Sequence, residues 1–228
     1  MVKFIETEQQ ELKQKVLEMF TLVSDQIDKA GLSLLTMDKG MAAQVIVFEH
    51  KVNSFELKIC KAIEDYIALY NPVAIDLRFV LAMLQISSDL ERIGDYARGI
   101  ARFVNKSAQE EINTELIVDT QMDKMIQQVL IMLKTAQTAL EEENAVLANS
   151  IFEKDYIVNE IQDRATDIIA AAIIKDSSAE LAKQMLRIQD IFRKMERTGD
   201  HIKNIAEEII FYIEAKVIRH KGKQSYEL

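Results

Sequence analysis

The sequence predicts an all-α fold built as two tandem three-helix-bundle repeats, and three observations carry that expectation. The 228 residues include only six glycines and one proline, too few to punctuate the strands and tight turns of a β-rich protein. The chain is rich instead in Ala, Leu, Glu, Lys, Gln and Met, all strong helix formers, and 49% of it is apolar. A helical pattern near the carboxy-terminal end also repeats, in the same register, one that stands 105 residues earlier.

The elements follow in order. A first helix is expected from about Phe4 to Ala30, because Leu12, Val16, Met19, Val23 and Ile27 recur with the 3.6-residue period, and Gly31 is expected to end it. A second helix runs from about Thr36 to Tyr70. Asn71-Pro72 stops and restarts the chain, since proline suits a first helical position. The third helix runs to about Lys106, where KSAQEEIN is polar and aperiodic. A fourth helix is expected over about Thr114 to Glu142 and a fifth over Ala145 to Lys175. Ser177 followed by Glu180 is read as the capping box that opens the sixth. That helix carries a heptad seam of Leu181, Met185, Ile188, Phe192, Met195, Gly199, Ile202, Ala206, Ile209 and Ile213. Its counterpart 105 residues earlier is Asp76, Val80, Met83, Ser87, Leu90, Gly94, Ala97, Ala101 and Val104, poorer but recognisable. The repeats are therefore assigned to residues 1–108 and 109–228.

Charge and composition exclude several functions. A formal charge of −9 argues against a sequence-independent grip on nucleic acid, which needs a basic field to release counterions. One cysteine, Cys60, cannot close an internal disulfide, and a reducing compartment is expected. In its helical apolar pattern Cys60 reads as a buried inert thiol. The amino terminus carries no apolar segment of signal-peptide length. The longest apolar run, IIAAAII at Ile168 to Ile174, is far shorter than the ~20 residues that span a bilayer. A cytoplasmic location is expected, and the absence of a Gly-rich phosphate loop argues against nucleotide binding. The basic tail EAKVIRHKGKQ reads as a solvated helix end.

The repeat is sharpest at one pentad. DLERIGDYA (Asp89 to Ala97) and KMERTGDHI (Lys194 to Ile202) share Glu, Arg, Gly and Asp in register. A lone acidic pair four residues apart means little, since roughly six arise by chance at this composition. A four-residue identity at a fixed offset has odds of about one in a hundred thousand. Gly94 and Gly199 each cost ~1 kcal/mol relative to alanine in a helix. Their place on the packing seam predicts a close approach by a neighbouring backbone or ligand. Glu91 and Asp95, like Glu196 and Asp200, stack one turn apart on one face, so a positive group should sit between them.

Hairpin geometry supplies partners. Glu49 and Asp95, and likewise Asn53 and Glu91, are equidistant from Pro72 and so lie level in an antiparallel pair. Asp155 and Asp200, and Asn159 and Glu196, are equidistant from the link between Ser177 and Ser178. Each unit can therefore converge three carboxylates and one amide oxygen, an all-oxygen anionic set that suits iron foremost, with Mn²⁺ or Mg²⁺ as alternatives. The competing reading is a salt-bridge lattice built on Arg92 and Arg197. Glu-x-x-His, the di-iron signature of ferritin-like bundles, is absent. His201 points about 100° round the helix from Asp200 and is not counted as a ligand.

Over most of its length the chain resembles the PhoU family of accessory regulators of bacterial phosphate-specific transport. Glu91 with Asp95 and Glu196 with Asp200 match the family's Glu/Asp-x-x-x-Asp metal motif. NPVAIDLR (Asn71 to Arg78) and NIAEE (Asn204 to Glu208) also look like its signatures. The halves depart from one another where Gly99 faces Asn204, and where Asp76 and Arg78 face Leu181 and Lys183. The two metal sites are accordingly expected to differ in affinity or nuclearity. The resemblance implies a non-enzymatic negative regulator of the phosphate-starvation response, with no catalytic residues of its own. Its implied partners are the phosphate ABC transporter's ATPase subunit, a phosphate-sensing histidine kinase and a second copy of the chain, with membrane association only through partners. The rival is a carboxylate-bridged metal-dependent oxidase or phosphohydrolase. Such an enzyme needs an open coordination position and a general base near the metal.

Overall fold

The computed structural model describes residues 2–107, 119–176 and 178–215. Among them the chain forms six long helices and no strand: α1 (Val2–Thr36), α2 (Lys39–Tyr70), α3 (Ile75–Lys106), α4 (Met122–Glu141), α5 (Ala145–Lys175) and α6 (Ala179–Glu214). The first three pack on one another, as do the last three. The two bundles join through α3 against α6 and α1 against α4.

The apolar seams build this arrangement. On α6, Met185, Ile188, Phe192, Met195, Gly199, Ile202, Ala206 and Ile209 are buried, with Leu181 and Ile213 packed at the margin. On α3, Val80, Met83, Ser87, Leu90, Gly94, Ala97, Ala101 and Val104 are buried in the matching register. Asp76 is half-buried and accepts a hydrogen bond from Gln9 Nε2 (2.9 Å). Phe20 and Phe192 are completely enclosed, and truncating either to alanine costs about 3–5 kcal/mol.

Several helix ends differ from the sequence expectation. Gly31 does not end α1, which continues to Thr36. A Cβ at Gly31 would lie 2.7 Å from Ile126 Cγ2, so this glycine admits α4 against α1 instead of terminating the helix. Burial of Ala30 and Leu34 carries the helical pattern past it. α3 begins at Ile75, so Pro72 lies in the link and not at a first helical position. Asn71 takes the left-handed conformation, and its N–H donates to Ile67 O. Ser178, whose Oγ accepts from Leu181 N (3.3 Å), caps α6. Ser177, the expected cap, lies outside the described residues, as does the expected start of the fourth helix at Thr114. Asp38 and Asn144 cap α2 and α5 by accepting from Met41 N and Leu147 N.

Candidate functional site

The two pentads sit on α3 and α6, each facing the middle helix of its own bundle. Gly94 and Gly199 are buried there. A Cβ at Gly94 would meet Val52 Cγ1 at 3.2 Å, and one at Gly199 would meet Asp155 Oδ1 at 3.0 Å. The missing side chains thus let α2 and α5 approach, and in the second half a carboxylate oxygen lies directly against α6.

This approach aligns the acids. In the first half the Arg98 guanidinium donates to Glu49 Oε1 (2.7 Å) and pairs with Asp95 Oδ1 (2.9 Å). In the second, the Lys203 ammonium reaches Asp155 Oδ2 and Asp200 Oδ1, both at 2.8 Å. Glu49 with Asp95, and Asp155 with Asp200, are therefore brought together. Asn53 and Asn159 turn to acids of their own helices, donating through Nδ2 to Glu49 Oε1 (2.8 Å) and Asp155 Oδ2 (2.9 Å). Glu91 faces Arg92 at 3.9 Å and Glu196 faces Arg197 at 3.7 Å, longer than hydrogen bonds. Arg92 and Arg197 are exposed, so the strong ion pairs of both clusters come from other residues.

Those residues are Arg98 and Lys203, which the sequence reading did not single out. The signal was available: each stands three residues beyond the pentad's aspartate, and the two are 105 residues apart. They supply positive charge at each cluster, but between the pentad's aspartate and the acid of the middle helix, not between the two stacked carboxylates where the sequence placed it. Burial alone would lower the Lys203 pKa, but its hydrogen bonds to Asp155 and Asp200 reverse this and raise it. Glu91 titrates above the ordinary carboxylate range, first because it is partly buried and then because Asp95 repels its charge. Glu196 is raised by burial and by Asp200 in the same way.

The donor chemistry fits a hard cation. Glu49 and Asp155 are only 1% and 4% exposed, and each keeps one carboxylate oxygen (Glu49 Oε2, Asp155 Oδ1) buried with no hydrogen-bond partner. The Asn53 amide oxygen is likewise buried and unpartnered. Unsatisfied buried acceptors of this kind are costly and suit a cation. No three His, Cys, Asp or Glu side chains among the described residues form a group able to hold a metal ion.

His201 turns away from the cluster and across to the other bundle. Its Nδ1–H donates to Asp89 Oδ1 (2.7 Å), and its ring lies 5.7 Å from that of Tyr96. Cys60 is half-buried, less enclosed than its sequence pattern implied. Burial and the neighbouring Glu56 push its thiol up, away from the nucleophilic thiolate.

The fold and site define a class: all-helical chains of two equivalent three-helix repeats, each presenting a buried acid from its middle helix to a Glu-x-x-x-Asp face of its third. Residues 16–104 and 122–209 each match the PhoU domain, and the chain belongs to that family. It is 33% identical over 201 residues, 88% of this chain and 84% of the relative, to a Thermotoga maritima protein named phosphate-specific transport system accessory protein PhoU homolog 1. A Pseudomonas aeruginosa protein named phosphate-specific transport system accessory protein PhoU homolog is 30% identical over 94% of this chain and 87% of its own length. The crystal structure of PhoU from Pseudomonas aeruginosa superposes with a TM-score of 0.86 at 28% identity, covering 92% of this chain and 99% of that one. The phosphate transport system regulatory protein PhoU from Streptococcus pneumoniae gives 0.85 at 28% identity, covering 94% and 99%.

Proposed function

We propose that the chain is an accessory protein of a phosphate-specific transport system and holds the phosphate-starvation response off while phosphate is plentiful. The observation that carries this reading is the presence of both PhoU repeats over most of the length of relatives that bear the accessory-protein name. No helix among the described residues is long and apolar enough to cross a membrane. In this reading the chain meets the transporter by docking on its ATPase subunit and passes the state of uptake to a sensor kinase, working as a homodimer and not as an enzyme.

The acidic clusters enter the same reading as metal sites. Glu49, Asn53, Glu91 and Asp95 would hold one ion, and Asp155, Asn159, Glu196 and Asp200 the other, with iron the leading candidate and Mn²⁺ or Mg²⁺ the alternatives. Bound metal would supply fixed positive charge able to bridge phosphate or a partner's carboxylates. The protein's own part is to bury the acids, hold them level through Gly94 and Gly199, and keep their unpartnered oxygens from water.

A phosphate-starvation promoter reporter in high phosphate tests the regulatory reading. Deleting the gene should switch the reporter on, and restoring it with Glu91, Asp95, Glu196 and Asp200 intact should switch it off. Equal low signal with and without the gene would remove the reading. Metal-loaded protein should neither consume oxygen nor release phosphate from model esters, and turnover of either kind would favour the enzyme.

A further inference from the structure

Each bundle carries a cation of its own at the meeting point of its acids. Arg98 and Lys203 hold the same register, and both side chains are 26% exposed, so each has a short path to water. Each spans a buried acid of the middle helix and the aspartate of the pentad. The two differ in how they grip. Arg98 uses two nitrogens of a rigid fork, one for each carboxylate, whereas Lys203 meets both carboxylates through one rotatable nitrogen. A guanidinium fork gives geometrically fixed, charge-assisted pairs, and it is weakly hydrated when it leaves. An ammonium is strongly hydrated and rides on a flexible four-carbon stem, so swinging into water compensates it better.

We propose that Arg98 and Lys203 are internal counter-cations that exclude metal from the acidic clusters, and that metal enters by displacing them, the Lys203 cluster first. This rests on the metal reading above and adds to it the residue that sets each site's affinity. A cation cannot simply leave, because a buried carboxylate without a partner is costly. Exchange for a divalent ion avoids that cost and engages the oxygens that neither basic side chain uses, Glu49 Oε2 and Asp155 Oδ1. In the second cluster Asp155 Oδ1 lies in the Gly199 notch against α6, beside Val158 and Met132, out of reach of competing hydrogen-bond donors.

The test is a Mn²⁺ titration of the full chain, reading free Mn²⁺ by its paramagnetic resonance signal, with the thermal midpoint in Mn²⁺ and in chelator as a second readout. Wild type should show one tighter and one weaker site, and Glu196→Ala should remove the tighter. The charge-conserving exchanges Lys203→Arg and Arg98→Lys keep a partner for each buried acid. Lys203→Arg should weaken the tighter site by about tenfold or more, the size of one added charge-assisted bond. Arg98→Lys should strengthen the weaker one by a comparable factor. Lys203→Met should tighten the second site and enlarge the Mn²⁺-dependent rise in midpoint. If both exchanges leave both affinities within about twofold of wild type, the counter-cation proposal falls while the metal reading stands. If wild type and every variant bind less than about a tenth of an ion per chain at saturating Mn²⁺, both fall together.

Discussion

Gly31 and Gly99 show how much one hydrogen in place of a methyl decides. Both stand inside helices, where alanine is intrinsically better by up to ~1 kcal/mol. At Gly31 the added Cβ would meet Ile126, a buried β-branched side chain fixed at χ1, with Cγ2 at 2.7 Å. At Gly99 it would meet Lys194 Cε at 2.8 Å, the far end of a lysine that can swing aside. Gly31→Ala should therefore lower unfolding free energy by about 1–3 kcal/mol through overpacking. Gly99→Ala should raise it by up to ~1 kcal/mol. Denaturant titration of the two variants checks this: a rise in both would show that helix propensity alone governs, and a fall in both that Lys194 does not yield. Gly94 and Gly199 were legible in the sequence because a helix-weakening residue recurred on the seam inside a repeated pentad. Arg98 and Lys203 carry a weaker signal, a base repeated at the same 105-residue offset, because a base three residues after an acid is ordinary on any solvated helix face. Their pairing with the buried Glu49 and Asp155 is what distinguishes them.

The helices themselves were readable wherever the apolar period was strong, and were misread where one residue had two meanings. Gly31 carries the usual helix-stop signal, but burial of the next turn against a neighbouring element overrides it. The proline link gave the position of the turn and missed the start of α3, because the chain spends two further residues, Val73 and Ala74, between Pro72 and the first helical one. The turn from α4 to α5 shows a contact that no local pattern reveals. Lys13 of α1, almost buried, donates to Glu141 O (3.1 Å) and pairs with Glu143 (2.8 Å). The Tyr212 hydroxyl of α6 donates to the same Glu143 carboxylate, and burial and that charge push the phenol far up. The Lys13 hydrogen bond holds Glu143 below the usual carboxylate range, against the opposing effect of its partial burial. A depressed carboxylate pKa contributes stability that is fully present above the unfolded value of about 4.3 and is lost as pH falls through the lower folded value. Glu143→Gln should thus be less stable than wild type at pH 7, with the difference closing below about pH 4. A difference that persists unchanged at pH 3 would mean that the pair acts by shape and not by charge.

At the scale of the whole molecule, the two repeats form one body. Their contacts are distributed along the length of the helices. Gln137 Nε2 donates to Leu17 O (3.2 Å) and Thr21 Oγ1 (3.0 Å), Phe79 meets Tyr212 edge to face at 5.4 Å, and His201 reaches Asp89. Asp89 is itself 3% exposed, so its partner in the other half is part of what makes its burial tolerable. The sequence disclosed the repeat but not this joint, because its hydrogen bonds join residues that are not equivalent in the two halves, such as Asp89 with His201. The residue 105 positions after Asp89 is Lys194, and the one 105 before His201 is Tyr96. A chain assembled this way should unfold in one step, with far-ultraviolet and near-ultraviolet dichroism giving coincident denaturant midpoints. Phe79→Ala removes a buried ring at the joint and should shift both midpoints together, by the equivalent of about 3–5 kcal/mol. A second transition, or a shift seen by one probe alone, would mean that the halves are independent domains tethered in sequence. In one cooperative body, the packing of α3 against α6 holds the two acidic clusters on a single frame in fixed relation.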